Sequence, residues 1–243
     1  MGNLGVLGRA GVVRQFGETP QKKTENMKIR FIITILLVFT NNIFSQEKII
    51  KLNENEIITV DYSENGKVEN GVYVCDKFEW KIKIPENYTI SKTKELEETE
   101  AKGNAELKKN LPVGSKLQKR IHLIAFELNS NNTFSASLNS LENTKKMSLE
   151  EHKKFTVDLL KQSFGQIKNA RFEFKTFDIR IGKFKFYKVI VEGFNASNNK
   201  LVLSQIYYNS YIKNQLFGVL ISYNNEKEGK MLEDNFLSSL NNK

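Results

Sequence analysis

Two histidines and one cysteine are the chain's whole supply of imidazole and thiol ligands. His122 lies inside the apolar run Ile121-His-Leu-Ile-Ala-Phe126, and His152 lies on the core side of a helical pattern. A structural zinc site needs four Cys or His ligands grouped at short spacings. Neither histidine has such a neighbour, so each reads as an imidazole whose nitrogens the fold satisfies. Cys75 follows Val72-Tyr73-Val74 and reads as a buried small hydrophobe; being single, it forms no intramolecular disulfide. Serine nucleophiles need an adjacent base and a group to orient it, and no serine here occupies a Gly-x-Ser-x-Gly elbow. Glu95, Glu97, Glu98 and Glu100 crowd together as calcium ligands do. An EF-hand loop, however, alternates its acids around a central glycine and closes on a glutamate. Lys92, Lys94 and Lys102 interleave with these acids, the pattern of a salt-bridged, solvated helix face. Paired glycosidase carboxylates are defined by distance in space rather than in sequence, and 28 Asp and Glu residues single out no pair. No catalytic residue, metal ligand or cofactor is assigned.

The aromatic residues carry more information. Phe184, Phe186, Tyr187, Tyr207, Tyr208, Tyr211 and Tyr223 fall on adjacent strands, and most belong to a core. Along one strand, side chains alternate between the two faces, so Tyr207 and Tyr211 share a face with Leu203, Gln205 and Asn209. Tyrosine is enriched at binding surfaces. Tyr207, Tyr211 and Gln205 are therefore the candidate binding surface. Three Asn-x-Ser/Thr sequons, at Asn87, Asn131 and Asn195, are of the number a chain rich in Asn and Ser makes by chance.

The elements that position these residues follow from periodicity. Phe78 to Ile84 alternates apolar and charged residues and ends at Pro85, a strand with one wet face. A charged helix is expected from Ser91 to Asn110, interrupted at Gly103. Ile121–Leu128 is apolar on both faces, as a covered central strand is, and Asn129–Asn132 turns it into Thr133–Leu138. Ser148-Leu-Glu-Glu151 is a capping box. Leu149, His152, Phe155, Thr156, Leu159 and Phe164 then recur at helical spacing. Strands are expected at Arg171–Ile181, Phe184–Phe194, Lys200–Ile212 and Leu216–Tyr223, joined by hairpins. A last helix, Glu226–Leu240, presents Leu232, Phe236 and Leu240. The fold class this implies is α+β. One largely antiparallel sheet of six to seven strands would have helices packed on both faces, an α/β/α sandwich.

The N-terminal part has a different character. Met27-Lys28-Ile29-Arg30 precedes Phe31–Phe39, apolar apart from Thr34, and the chain reaches a small residue at Ser45. A charged n-region, a short h-region and a small residue at the cut make a secretory leader, too short to span a bilayer. Cleavage is expected between Ser45 and Gln46. Residues 1–26 read as a spurious or disordered extension, 27–45 as the signal peptide and 46–71 as a flexible arm or loose hairpin. Residues 72–243 read as the folded domain, periplasmic or secreted, with no transmembrane segment. The chain holds 37 Lys and Arg against 28 Asp and Glu, a net +9. Six of those cations and two of the acids precede residue 46, which leaves +5. These charges are intermixed, whereas nucleic-acid binders cluster theirs, so no nucleic-acid partner is expected.

An aromatic strand ending in proline (Phe78–Pro85) leads to a charged helix. A capped helix (Ser148–Phe164) follows the next hairpin, and a long meander ends in a helix bearing Phe236-Leu-Ser-Ser-Leu240. This order resembles the sandwich shared by the photosystem PsbP proteins, the Ran-binding Mog protein and bacterial DcrB-type envelope proteins. The resemblance spans about residues 72–240 and rests on pattern rather than on invariant residues. It implies a non-enzymatic scaffold or assembly factor binding an envelope protein partner. DcrB-type members are often lipoproteins, and Gln46 stands where their lipid-bearing cysteine would. A carrier of a small apolar ligand or lipid is the alternative expectation, and a carboxylate hydrolase the third.

Overall fold

The computed structural model describes residues 66–92, 96–98, 100–101, 105, 120–140 and 147–241. The extension, the leader with its cut at Ser45–Gln46, and the arm up to residue 65 lie outside the described residues. So do most of the helix expected at 91–110 and the turn at Leu111–Gly114.

Alternation builds the first strands. β1 (Lys67–Glu69), β2 (Val72–Cys75) and β3 (Trp80–Lys83) form an antiparallel three-stranded sheet. β1 falls inside the span read from the sequence as an arm, and its Val68 is buried. Trp80, Ile82 and Ile84 are buried while Lys81 and Lys83 are exposed, as a period of two requires. Phe78 stands apart from that strand. It belongs to a 3-10 turn, Asp76–Phe78, and Glu79 (φ 53°) breaks the alternation in the left-handed region.

The second sheet holds seven strands in the order β4–β5–β6–β10–β9–β8–β7. Its members are β4 (Thr89–Ile90), β5 (Arg120–Asn129), β6 (Asn132–Ser140), β7 (Ala170–Ile181), β8 (Phe184–Asn195), β9 (Leu201–Ile212) and β10 (Gln215–Tyr223). Every pairing is antiparallel. The meander β7–β10 returns its last strand to β6, so the hairpins close into one sheet. Lys213 and Asn214, both at positive φ, make the two-residue turn between β9 and β10, the conformation a tight hairpin needs.

Two helices close the fold. In α1 (Leu149–Phe164) the Ser148 Oγ accepts from the Glu151 N–H at 3.2 Å, and the Glu151 carboxylate accepts from the Ser148 N–H at 2.7 Å. These bonds hold the Glu151 pKa below the usual carboxylate value, the Ser148 backbone first among the causes. Ser148→Ala is expected to cost about 1 kcal/mol. Because the folded-state pKa is depressed, Glu151 stabilises above its unfolded pKa, and that contribution is lost as pH falls through the folded value. Urea melts at pH 7 and pH 3 should therefore show a smaller gap between wild type and S148A at the lower pH. The buried stripe of α1 is Leu160 and Phe164, with Leu149, His152, Thr156 and Val157 half-buried. Phe155, read from the sequence as part of that stripe, is 51 % exposed. In α2 (Glu226–Asn241), Leu232, Phe236 and Leu240 are buried as their spacing demands.

The expected architecture, a single sheet with helices on both faces, is overturned. Strands dominate and divide between two sheets. One face of the large sheet is covered by the small sheet together with α2. Trp80 of β3 meets Phe217 of β10 edge to face at 5.3 Å, and the Trp80 indole N–H donates to Ser239 of α2 at 2.9 Å. The other face packs Leu160 and Phe164 of α1 against Tyr187, Val189, Val191 and Leu203. The error has a definite source. The alternating stretch ending at Pro85 reads as a strand with one wet face, and its apolar row is laid onto the face of the large sheet instead of joining it. A period of two says that one side of a strand is dry, not what it is dry against.

Candidate functional site

In an antiparallel sheet, residues paired across strands point to the same side. The registers therefore define rows on the α1 side of the large sheet. One row runs Tyr187 (β8), Asn209 (β9), Gly218 (β10), Ser137 (β6), His122 (β5). The next row towards the β9–β10 turn runs Tyr211, Leu216, Asn139, Arg120. On its other side lie Tyr207, Leu220 and Ser135, then Gln205, Ser222 and Thr133. The β7–β8 half of this face is apolar and sits under α1. The half towards β6 and β5 is lined by amides, hydroxyls and charged groups.

Each end of the first row is capped by a polar cluster. At one end the Tyr187 hydroxyl lies 2.6 Å from the His152 Nδ1 and 2.9 Å from the Thr156 Oγ1, both on α1. Burial raises the Tyr187 pKa and lowers that of His152. A histidine whose folded pKa is depressed favours folding in its neutral form. Its contribution is intact above the unfolded value near 6.5 and declines as pH falls through it. Wild-type stability is thus expected to drop between pH 7 and pH 5, and His152→Gln should flatten that slope in denaturant melts across the range. At the other end the His122 Nε2 lies 2.9 Å from the Glu100 Oε2, with the two side chains 4 % and 14 % exposed. Glu100 is thereby taken out of the solvated helix face to which the sequence assigned it, because its carboxylate turns inward onto β5. Arg120 joins this cluster. Burial lowers its pKa, while Glu100 and then Tyr207 favour its charged form.

Tyr187 and His122, the two ends of the row, stand four strand spacings apart, roughly 19 Å at about 4.8 Å per strand, so the two clusters do not form one site. Among the described residues no group of three His, Cys, Asp or Glu is placed to hold a metal ion. No helix among them is long and apolar enough to cross a membrane. Cys75 is buried.

The three residues proposed as a binding surface share one face of β9 but not one exposure. Gln205 and Tyr207 are 0 % and 7 % exposed, and they satisfy one another: the Tyr207 hydroxyl donates to Gln205 Oε1 at 2.6 Å, and Gln205 Nε2 donates to Ser222 at 3.1 Å. They form a closed floor. Tyr211 is half-buried at the lip, where its ring lies 6.5 Å from that of His152.

Between the two capped ends the floor opens. Asn209, Gly218, Ser137 and Asn139 are all half-exposed. Gly218 leaves a dent, since a Cβ placed there would lie 3.1 Å from the Asn209 Oδ1 and 3.8 Å from the Ser137 Oγ. Those side chains lean over the bare glycine from both sides. Among the described residues, the side chains of Asn209, Ser137 and Asn139 make no hydrogen bond. At about 100° per residue, Phe155 lies 140° and 180° round α1 from the buried Leu160 and Phe164, so it points away from the sheet, whereas His152 reaches Tyr187 of β8. The site is a groove with an amide and hydroxyl floor, an aromatic lip and a charged cluster at its far wall. Its members come from five strands and two helical segments, and only the β9 alternation was visible locally in the sequence.

No family model matches the chain, and no curated protein matches it. Among solved structures it is similar to the solution structure of cyanobacterial PsbP (CyanoP) from Synechocystis sp. PCC 6803. The TM-score is 0.44 and the identity 10 %, over 69 % of this chain and 89 % of that one. That neighbour is of PsbP type, the coarse form of the resemblance drawn from the sequence. No residue role, activity or location is taken from it.

Proposed function

We propose that the protein is an exported envelope component that binds a protein partner, without catalysis, in the groove between α1 and the Glu100 segment. The observation that carries this reading is the half-open floor at Asn209, Gly218 and Ser137. Polar groups within a fold are normally paired, and here neighbouring ones are left facing an opening. Export is supported by the leader pattern of residues 27–45, which places the mature chain in the periplasm or outside the cell. A carrier of apolar ligands would want a mostly apolar cavity. The apolar residues of both sheet faces are instead taken up by the two core clusters, so the partner-binding reading is the better supported.

The test is a photo-crosslinking amino acid placed at position 209, with position 202 on the opposite face of β9 as the control. In living cells a discrete adduct from 209 and none from 202 is the expected result. Equal labelling from both positions, or none from either, counts against the groove. N-terminal sequencing of the native product should begin at Gln46, and recovery of a chain beginning at Met1 from the cytosol would remove export from the proposal.

A further inference from the structure

We infer that the groove receives an extended, uncharged peptide segment of the partner and reads its backbone amides. This deepens the reading above and rests on it. Asn209 and Asn139 each offer a donor and an acceptor side by side, the same pair that a peptide unit presents. Neither side chain is engaged among the described residues. Asn209 lies two strands and two residues from Asn139, about 12 Å at the usual strand and residue spacings. An extended chain covers that distance in three to four residues, so two backbone amides can meet the two asparagines at once. The dent at Gly218 lets a main chain approach where any other residue would lift it off the floor.

Charge narrows the class further. The basic side chains at the end of the open floor are Arg120 and His122, and Glu100 faces both. The cluster therefore holds its own counter-charge and sets no demand for a charged ligand, while a charged group lowered beside it would lose water without a new partner. Tyr211, half-buried at the lip beside Asn209 and His152, provides an aromatic contact for one side chain of the segment. Main-chain bonds would supply the register, and that one side chain the selectivity.

The experiment uses the whole chain immobilised against a displayed library of random octapeptides. Binding of the strongest peptide is then measured by fluorescence anisotropy to wild type and to Asn209→Ala, Asn139→Ala and Gly218→Val. Uncharged sequences with one large apolar residue should be enriched. Each asparagine variant should weaken binding about tenfold, and G218V should abolish it. Methylating the backbone nitrogen at a central peptide position should weaken binding as much as N209A does. Thermal melts guard against misfolding, and Gly218→Ala serves if the valine variant does not fold. The inference is overturned if no peptide is enriched, if enriched peptides bind N209A and G218V as well as wild type, or if backbone methylation has no effect. A glycan array run in parallel overturns it if sugars bind and N209A removes them. If position 209 crosslinks a partner while peptides fail, the inference falls and the partner-binding reading stands. If both fail, both fall.

Discussion

Phe236→Ala is expected to remove about 3–5 kcal/mol of folding stability, a third or more of what a domain of this size commonly has. Phe236 is fully buried on α2. Its ring lies 5.0 Å from that of Tyr208, 6.2 Å from Phe186 and 6.2 Å from Phe134, so it touches β9, β8 and β6 at once. Truncation leaves a void walled by three aromatic rings, which are too rigid to collapse into it. The same void loosens the small sheet, because α2 also receives the Trp80 indole at Ser239.

Phe155→Ala is the matched control. Both phenylalanines recur at helical spacing with apolar neighbours, and sequence periodicity ranks them alike. With Phe155 half in solvent, its truncation should change stability by no more than about 0.5 kcal/mol. Urea melts of both variants decide the matter. A loss below about 1 kcal/mol for F236A would mean that α2 does not seat its apolar stripe on the sheet as described.

That contrast shows where the sequence was legible. The capping box at Ser148 and Glu151, the stripe Leu232–Phe236–Leu240 and the hairpin strands β7 to β10 all follow from local rules, because caps, periods and turns are local physics. The division into two sheets was not legible. Trp80, Ile82 and Ile84 advertise a dry face, but the surface that dries it is set by Phe217, more than a hundred residues away in sequence. The proposed binding face was half legible for the same reason. Alternation correctly placed Gln205, Tyr207 and Tyr211 on one side of β9. It could not tell that Gln205 and Tyr207 would bond to each other and close, while Asn209, between Tyr207 and Tyr211, stayed open over Gly218. That outcome depends on registers with β10 and β6, which no single segment carries. Glu100 was misplaced because its neighbours Glu97 and Glu98 are exposed and it was read with them. Glu100 instead lies one turn on from the buried Leu96, on the inward side where His122 stands.

The Glu100 cluster gives the second large effect, and its two partners should behave unequally. Removing one member of a buried ionic contact leaves the other without compensation, at about 3–5 kcal/mol for a fully closed pair. Glu100 keeps 14 % of its side chain in solvent, which argues for the lower end. Glu100 also serves two groups: it hydrogen-bonds His122 and it favours the charged form of Arg120. Glu100→Ala therefore leaves the half-buried Arg120 guanidinium without this carboxylate and the His122 imidazole with an unpaired nitrogen, and about 3 kcal/mol should be lost. His122→Ala leaves Glu100 still facing Arg120, so about 1–2 kcal/mol, the cost of one unmet buried hydrogen bond, is expected. Because the residues act as one unit, the double variant should cost little more than E100A alone rather than the sum of the two. Denaturant melts of the three variants at pH 7 test this directly. If E100A is as stable as wild type, or if the two losses simply add, the carboxylate does not hold both the guanidinium and the imidazole, and the far wall of the groove is not the self-compensated cluster on which the uncharged character of its ligand depends.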